Sequence, residues 1–149
     1  MKRTLLITTL TLLGLGVLQP WGSGLGQVAY AAGKPYRVVF DLTSRDSLDQ
    51  KAVMRWIHEI SASNPKVEME VVMYGKGFEL VMPERSTMLL DVQGAAKNPN
   101  VKFKVCEIAM KNQKVEKSQL LAGVGTVPDG IGEIVARQTH GWGYIKAVH

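Results

Sequence analysis

The chain has 149 residues and a single cysteine, Cys106. One thiol cannot form an intramolecular disulfide, so it is either a small core residue or a reactive group. As a thiolate it attacks sulfur or carbonyl centres. It closes the alternating run Val101-Lys102-Phe103-Lys104-Val105-Cys106, and a short helix is expected from Glu107. A thiol at a strand end lies where parallel α/β sheets bind ligands, and a helix start there favours the anion. Lys104, two residues back on the same strand face, favours the anion too, whereas the charge of Glu107 opposes it. The two readings, buried hydrophobe and reactive thiolate, stay open at this point.

Other chemistry is sparse. No G-x-x-x-x-G-K-[ST] motif occurs, and Gly75-Lys76-Gly77 lacks the third glycine of a dinucleotide fingerprint because position 80 is Leu. His58-Glu59 begins H-E-x-x-H, but position 62 is Ala. The three histidines are far apart, and Met69 and Met73 share a strand face with Val67 and Val71, which indicates core packing rather than copper binding. No metal and no cofactor are expected.

The elements that position Cys106 follow from periodicity. Residues 1–31 read as a secretory signal peptide: Lys2 and Arg3, an apolar run from Leu5 to Leu18, then Ala29-Tyr30-Ala31 as the cleavage site. The run is too short for a membrane span, and no cysteine stands at the cleavage site to carry a lipid. The mature chain then begins at Ala32 in the periplasm or outside the cell, with no stable membrane insertion. Without Lys2 and Arg3 the net charge falls from +5 to +3, and the remaining bases are interleaved with acids. That is a solvated surface, not a nucleic-acid footprint.

Tyr36–Leu42 reads as a buried first strand, and Leu48 to Ile60 repeats at helical spacing until Asn64-Pro65. Val67 to Met73 gives a strand with one apolar face, its polar side carrying Glu68 and Glu70. A turn at Tyr74–Gly77 precedes a helix expected from Pro83 to Ala96. The 101–106 strand and its short helix come next. Thr126 is a candidate cap for a further helix striped by Ile131, Ile134 and Val135, and Trp142 to Val148 closes the chain as a strand. Strands alternating with helices over residues 32–149 imply one domain with a mostly parallel sheet in a three-layer α/β/α sandwich.

The order of these segments resembles the DsrE/DsrF-like superfamily of sulfur-relay proteins. The carrying residues are Val38-Val39-Phe40-Asp41-Leu42, the strand-end Cys106, Val127-Pro128-Asp129-Gly130-Ile131, and Gly141-Trp142-Gly143-Tyr144-Ile145-Lys146. The resemblance implies a five-stranded sheet and assembly into homo-oligomers, trimers or hexamers. It also implies that Cys106 accepts sulfane sulfur as a persulfide, as in sulfurtransferases, and passes it to a thiol-bearing acceptor protein. Beside this stands a non-catalytic oligomeric module that binds a small ligand or partner at the same sheet edge, through Ser44, Gly75, Lys76, Cys106 and Asp129. A third reading is a redox sensor using an intermolecular Cys106 disulfide.

Overall fold

The structure, a computed structural model, describes residues 36–148; the expected leader and its cleavage site lie outside them. Strand β1 (Arg37–Leu42) is centred on the β-branched and aromatic residues Val38, Val39 and Phe40 and is buried from Val38 onward. Helix α1 (Ser47–Ser63) starts at Asp46, whose carboxylate accepts the Leu48 N–H, and it ends at Asn64 before Pro65. Strand β2 (Glu68–Met73) leads through Tyr74 and Gly75 into a 3-10 turn, Gly77–Val81. Helix α2 (Leu89–Ala96), strand β3 (Val101–Cys106) and helix α3 (Glu107–Asn112) follow, then strand β4 (Gly125–Val127), helix α4 (Gly130–Thr139) and strand β5 (Gly143–Lys146).

The five strands form one parallel sheet in the order β4-β3-β2-β1-β5. Register assigns its two faces different characters. One carries Val38, Phe40 and Leu42 beside Met69, Val71 and Met73, then Val101, Phe103 and Val105. Each of these is at most 4% exposed, and α1 and α2 pack over β1 and β3 on this side. At about 25 cal/mol per Å² of buried apolar surface, this face dominates the stability. The opposite face carries Val39, Asp41, Glu70, Val72, Lys102, Lys104, Cys106, Tyr144 and Lys146, and α4 crosses it, touching β1, β2, β3 and β5.

Several expectations change. Strand β2 does not have one wet face: Glu70 is 1% exposed and Val72 is fully covered, because a central parallel strand is buried on both sides. The helix expected from Pro83 starts only at Leu89. Gly77 lies so close to β1 that an added Cβ would be 2.0 Å from the Leu42 carbonyl oxygen. That contact seats the 3-10 turn, which inserts Phe78, Leu80 and Val81 into the core and uses up chain before α2. Thr126 is in β4 and caps nothing; the cap of α4 is Asp129, which accepts the Ile131 N–H at 3.0 Å. Of the expected α4 stripe, Ile134 is buried while Ile131 and Val135 are more than half exposed.

Candidate functional site

Cys106 is the last residue of β3 and the residue that caps α3. It is 5% exposed. Its neighbour across the gap is Gly130, the first residue of α4, where an added Cβ would meet the Cys106 Cβ at 3.0 Å and Tyr74 at 3.4 Å. The small residue at 130 therefore lets α4 close down on the thiol.

The burial is not sealed. Cys106 lines a surface pocket of about 400 Å³ whose walls come from three elements. The β2 end supplies Tyr74 and Gly75. Helix α3 supplies Ile108, Ala109, Asn112 and Gln113. The start of α4 supplies Asp129 and Ile131. Ile108, Asn112, Asp129 and Ile131 are exposed, so the pocket has a rim in solvent and the thiol in its wall. Gly75 takes a positive φ of 57°, a left-handed conformation suited to glycine, and its carbonyl accepts the side-chain amide of Gln113. A larger concavity of about 650 Å³ lies away from the thiol against α1, lined by Trp56, Met88 and Val148 among others. Size alone does not make it the site, for its walls, mostly α1 with Met88, Asp91 and Val148, hold no nucleophilic thiol and include the exposed Arg55–Glu59 ion pair.

Of the residues named from sequence, Cys106, Gly75 and Asp129 come together in the thiol pocket, and Ser44 and Lys76 do not line it. The Ser44 hydroxyl accepts the Asp46 N–H at 2.9 Å, and the Lys76 backbone N–H donates to the Thr43 carbonyl. The two charges nearest in sequence are directed elsewhere. Glu107 accepts the Thr126 hydroxyl at 2.7 Å and faces a separate hollow with Lys111, while the Lys104 ammonium lies against Gly125 of β4.

Sequence reasoning passed over Tyr74, treating it as part of a turn. Its hydroxyl donates to Asp41 Oδ2 at 3.2 Å, and the same oxygen accepts Tyr144 at 2.7 Å and the Lys146 ammonium at 3.2 Å. Asp41 is 3% exposed, and its Oδ1 has no partner among the described residues. Burial raises the Tyr74 phenol above its ordinary value, helped by the charge of Asp41. The hydrogen bond to Asp41, then burial, pushes Tyr144 up to about 12. The available signal was an aspartate inside an otherwise apolar strand, at position 41, which demanded donors from neighbouring strands.

A second polar cluster lies at the other end of this face. Arg137 Nη2 contacts Glu70 at 2.9 Å and Glu133 at 2.7 Å, and its guanidinium stacks over Trp142 at 4.9 Å. Burial, then a hydrogen bond with Glu133, pushes the Glu70 carboxyl up to about 7 despite the opposing charge of Arg137. For Arg137, burial lowers the pKa, but the carboxyls outweigh it and the net shift is upward. The cluster fastens α4 to β2 and so holds the pocket wall in place. No group of metal-ligating side chains occurs among the described residues.

The chain is thus a parallel five-stranded α/β sandwich with a strand-end thiol in a pocket wall. The DsrE/DsrF-like family matches residues 37–147, nearly the whole described chain, and the protein belongs to that family, which is related to sulfur-relay proteins. Among solved structures, a protein of unknown function from Methanobacterium thermoautotrophicum, MTH1491, is 32% identical. It superposes with a TM-score of 0.70 over 74% of this chain and 98% of its own. The ychN protein from E. coli shares the fold at 11% identity, with a TM-score of 0.57 over 76% of this chain and 99% of its own. No curated protein matches the chain.

Proposed function

We propose that the protein is an exported sulfur carrier that holds sulfane sulfur as a persulfide on Cys106 and yields it to a thiol-bearing acceptor. One observation carries this reading: the lone thiol, though a 5% exposed member of the hydrophobic core, ends a strand and lines the wall of a solvent-rimmed pocket. The chemistry needs no metal or external oxidant. The Cys106 thiolate attacks the outer sulfur of a donor persulfide, the donor S–S bond breaks, and the donor leaves as a thiolate with the electron pair. An acceptor thiolate then attacks the outer sulfur of Cys106, which departs as thiolate. Family membership supports this use of the cysteine, and the leader-like residues 1–31 support export. The test is intact mass after incubation of the 32–149 chain with excess polysulfide. Wild type is expected to gain one sulfur atom and Cys106→Ser none; an unchanged wild-type mass ends the proposal.

The 5% exposure of Cys106 favours one second reading, a pocket that binds a small ligand with the thiol as a packing atom in its wall. On that reading Cys106→Ala keeps ligand binding, whereas sulfur carriage is abolished by the same change.

A further inference from the structure

From the charge content of the thiol pocket we infer that its preferred substrate is an uncharged, apolar sulfur compound, and that anionic donors, thiosulfate and inorganic polysulfide included, react more slowly without being excluded. This inference rests on the sulfur-carrier reading and names the substrate class of the same site. Among the described residues lining the pocket, Asp129 is the one ionisable side chain besides Cys106 and Tyr74, and it is an acid. Its carboxylate accepts the Ile131 N–H, and the residue is exposed at the rim.

The cations nearby in sequence are turned away. Lys104 lies over β4, and Lys111 lines the hollow on the far side of α3. The polar wall groups are largely committed as well. The Tyr74 hydroxyl is held by Asp41, and the Gln113 amide by the Gly75 carbonyl. Beside the exposed Asn112 side chain, what faces the cavity is the Tyr74 ring, Ile108, Ala109 and Ile131. An anion entering this space leaves water and meets the Asp129 carboxylate, which already takes up the Ile131 N–H at the start of α4, and no cationic side chain among the described residues lines the pocket to offset that. An apolar substituent gains from the same walls.

The experiment uses two disulfide reagents that differ in charge, a neutral dipyridyl disulfide and a dianionic bis(nitrobenzoate) disulfide. With each, the Cys106 thiolate forms a new S–S bond as the reagent's own bond breaks. The departing half carries the electron pair as a coloured thiolate or thione, and the thiol proton goes to solvent. The ratio of neutral to anionic rate constants is measured on folded 32–149 chain and on the same chain unfolded in urea. The folded chain is expected to exceed the unfolded ratio by about tenfold, the scale of a like charge in a poorly hydrated site. Asp129→Asn, which keeps the helix cap, is expected to shrink the excess about threefold. Ile131→Lys, at a position 59% exposed, is expected to abolish it.

Equal ratios in folded and unfolded chain overturn the charge inference and leave the carrier reading standing. Failure of both reagents to react with the folded chain overturns both. A charge preference that ignores Asp129→Asn and Ile131→Lys also overturns the inference, because its source then lies outside this pocket.

Discussion

Asp41 concentrates the polar energetics of the strand ends on one oxygen. Three donors, one just past the end of β2 and two on β5, converge on its Oδ2. Removing one of them by Tyr74→Phe leaves the ring that walls the thiol pocket and is expected to cost about 1 kcal/mol in urea denaturation, the usual net worth of such a bond. Glu70 gives a pH signature. Its carboxyl, ordinarily at 4.5, titrates at about 7 in the folded protein, so the folded state retains a proton that the unfolded chain has already released. Stability from this group is therefore fully present below 4.5 and is lost as pH rises through 7. Urea midpoints measured at pH 5 and pH 8 should fall more steeply for wild type than for Glu70→Gln. Parallel slopes in the two proteins would falsify the assignment.

At the scale of elements, the tightest constraint is the approach of the 3-10 turn to β1. Gly77→Ala forces a Cβ against the Leu42 carbonyl, a backbone atom that cannot swing aside, and is expected to cost about 3 kcal/mol on thermal or chemical unfolding. Wild-type stability in that variant would show that the turn shifts freely. The same turn explains what was hard to read in the sequence. The strands β1, β2 and β3 and the helix α1 announced themselves through alternation or helical spacing. Phe78, Leu80 and Val81 have no period of their own, because a 3-10 turn buries residues by tertiary contact; the periodicity assigns them no element and begins at Pro83 a helix that starts only at Leu89. Strand β4 has three residues, too few for alternation to register. Its presence was implied by the family pattern and not by the residues 125–127 themselves. For the site, the strand-end cysteine and the Asp129 cap were legible locally. Tyr74 was not, since its importance comes from Asp41 on a different strand, 33 positions away.

For the whole molecule, the two sheet faces are unequally covered. Helices α1 and α2 shield the apolar side, while α4 alone crosses the polar one, leaving Lys102, Tyr144 and Lys146 exposed beside it. The proposed assembly into trimers or hexamers is checked by sedimentation equilibrium of the 32–149 chain, for which a monomeric mass at micromolar concentration excludes it. The pocket at Cys106 draws its walls from β2, α3 and α4 of one subunit, so sulfur loading is expected to persist when subunits are diluted apart. Loss of loading on dilution would mean that a second subunit completes the site.

The strand order also bears on how the protein is made. Strand β1, the first to leave the ribosome, is flanked on one side by β5, the last. A nascent chain lacking Gly143–Lys146 offers β1 as a bare edge and denies Asp41 both the Tyr144 hydroxyl and the Lys146 ammonium. Closure of the sheet therefore waits for β5, and such long-range pairing is slow to form. Under the export proposed above, that delay keeps the polypeptide threadable.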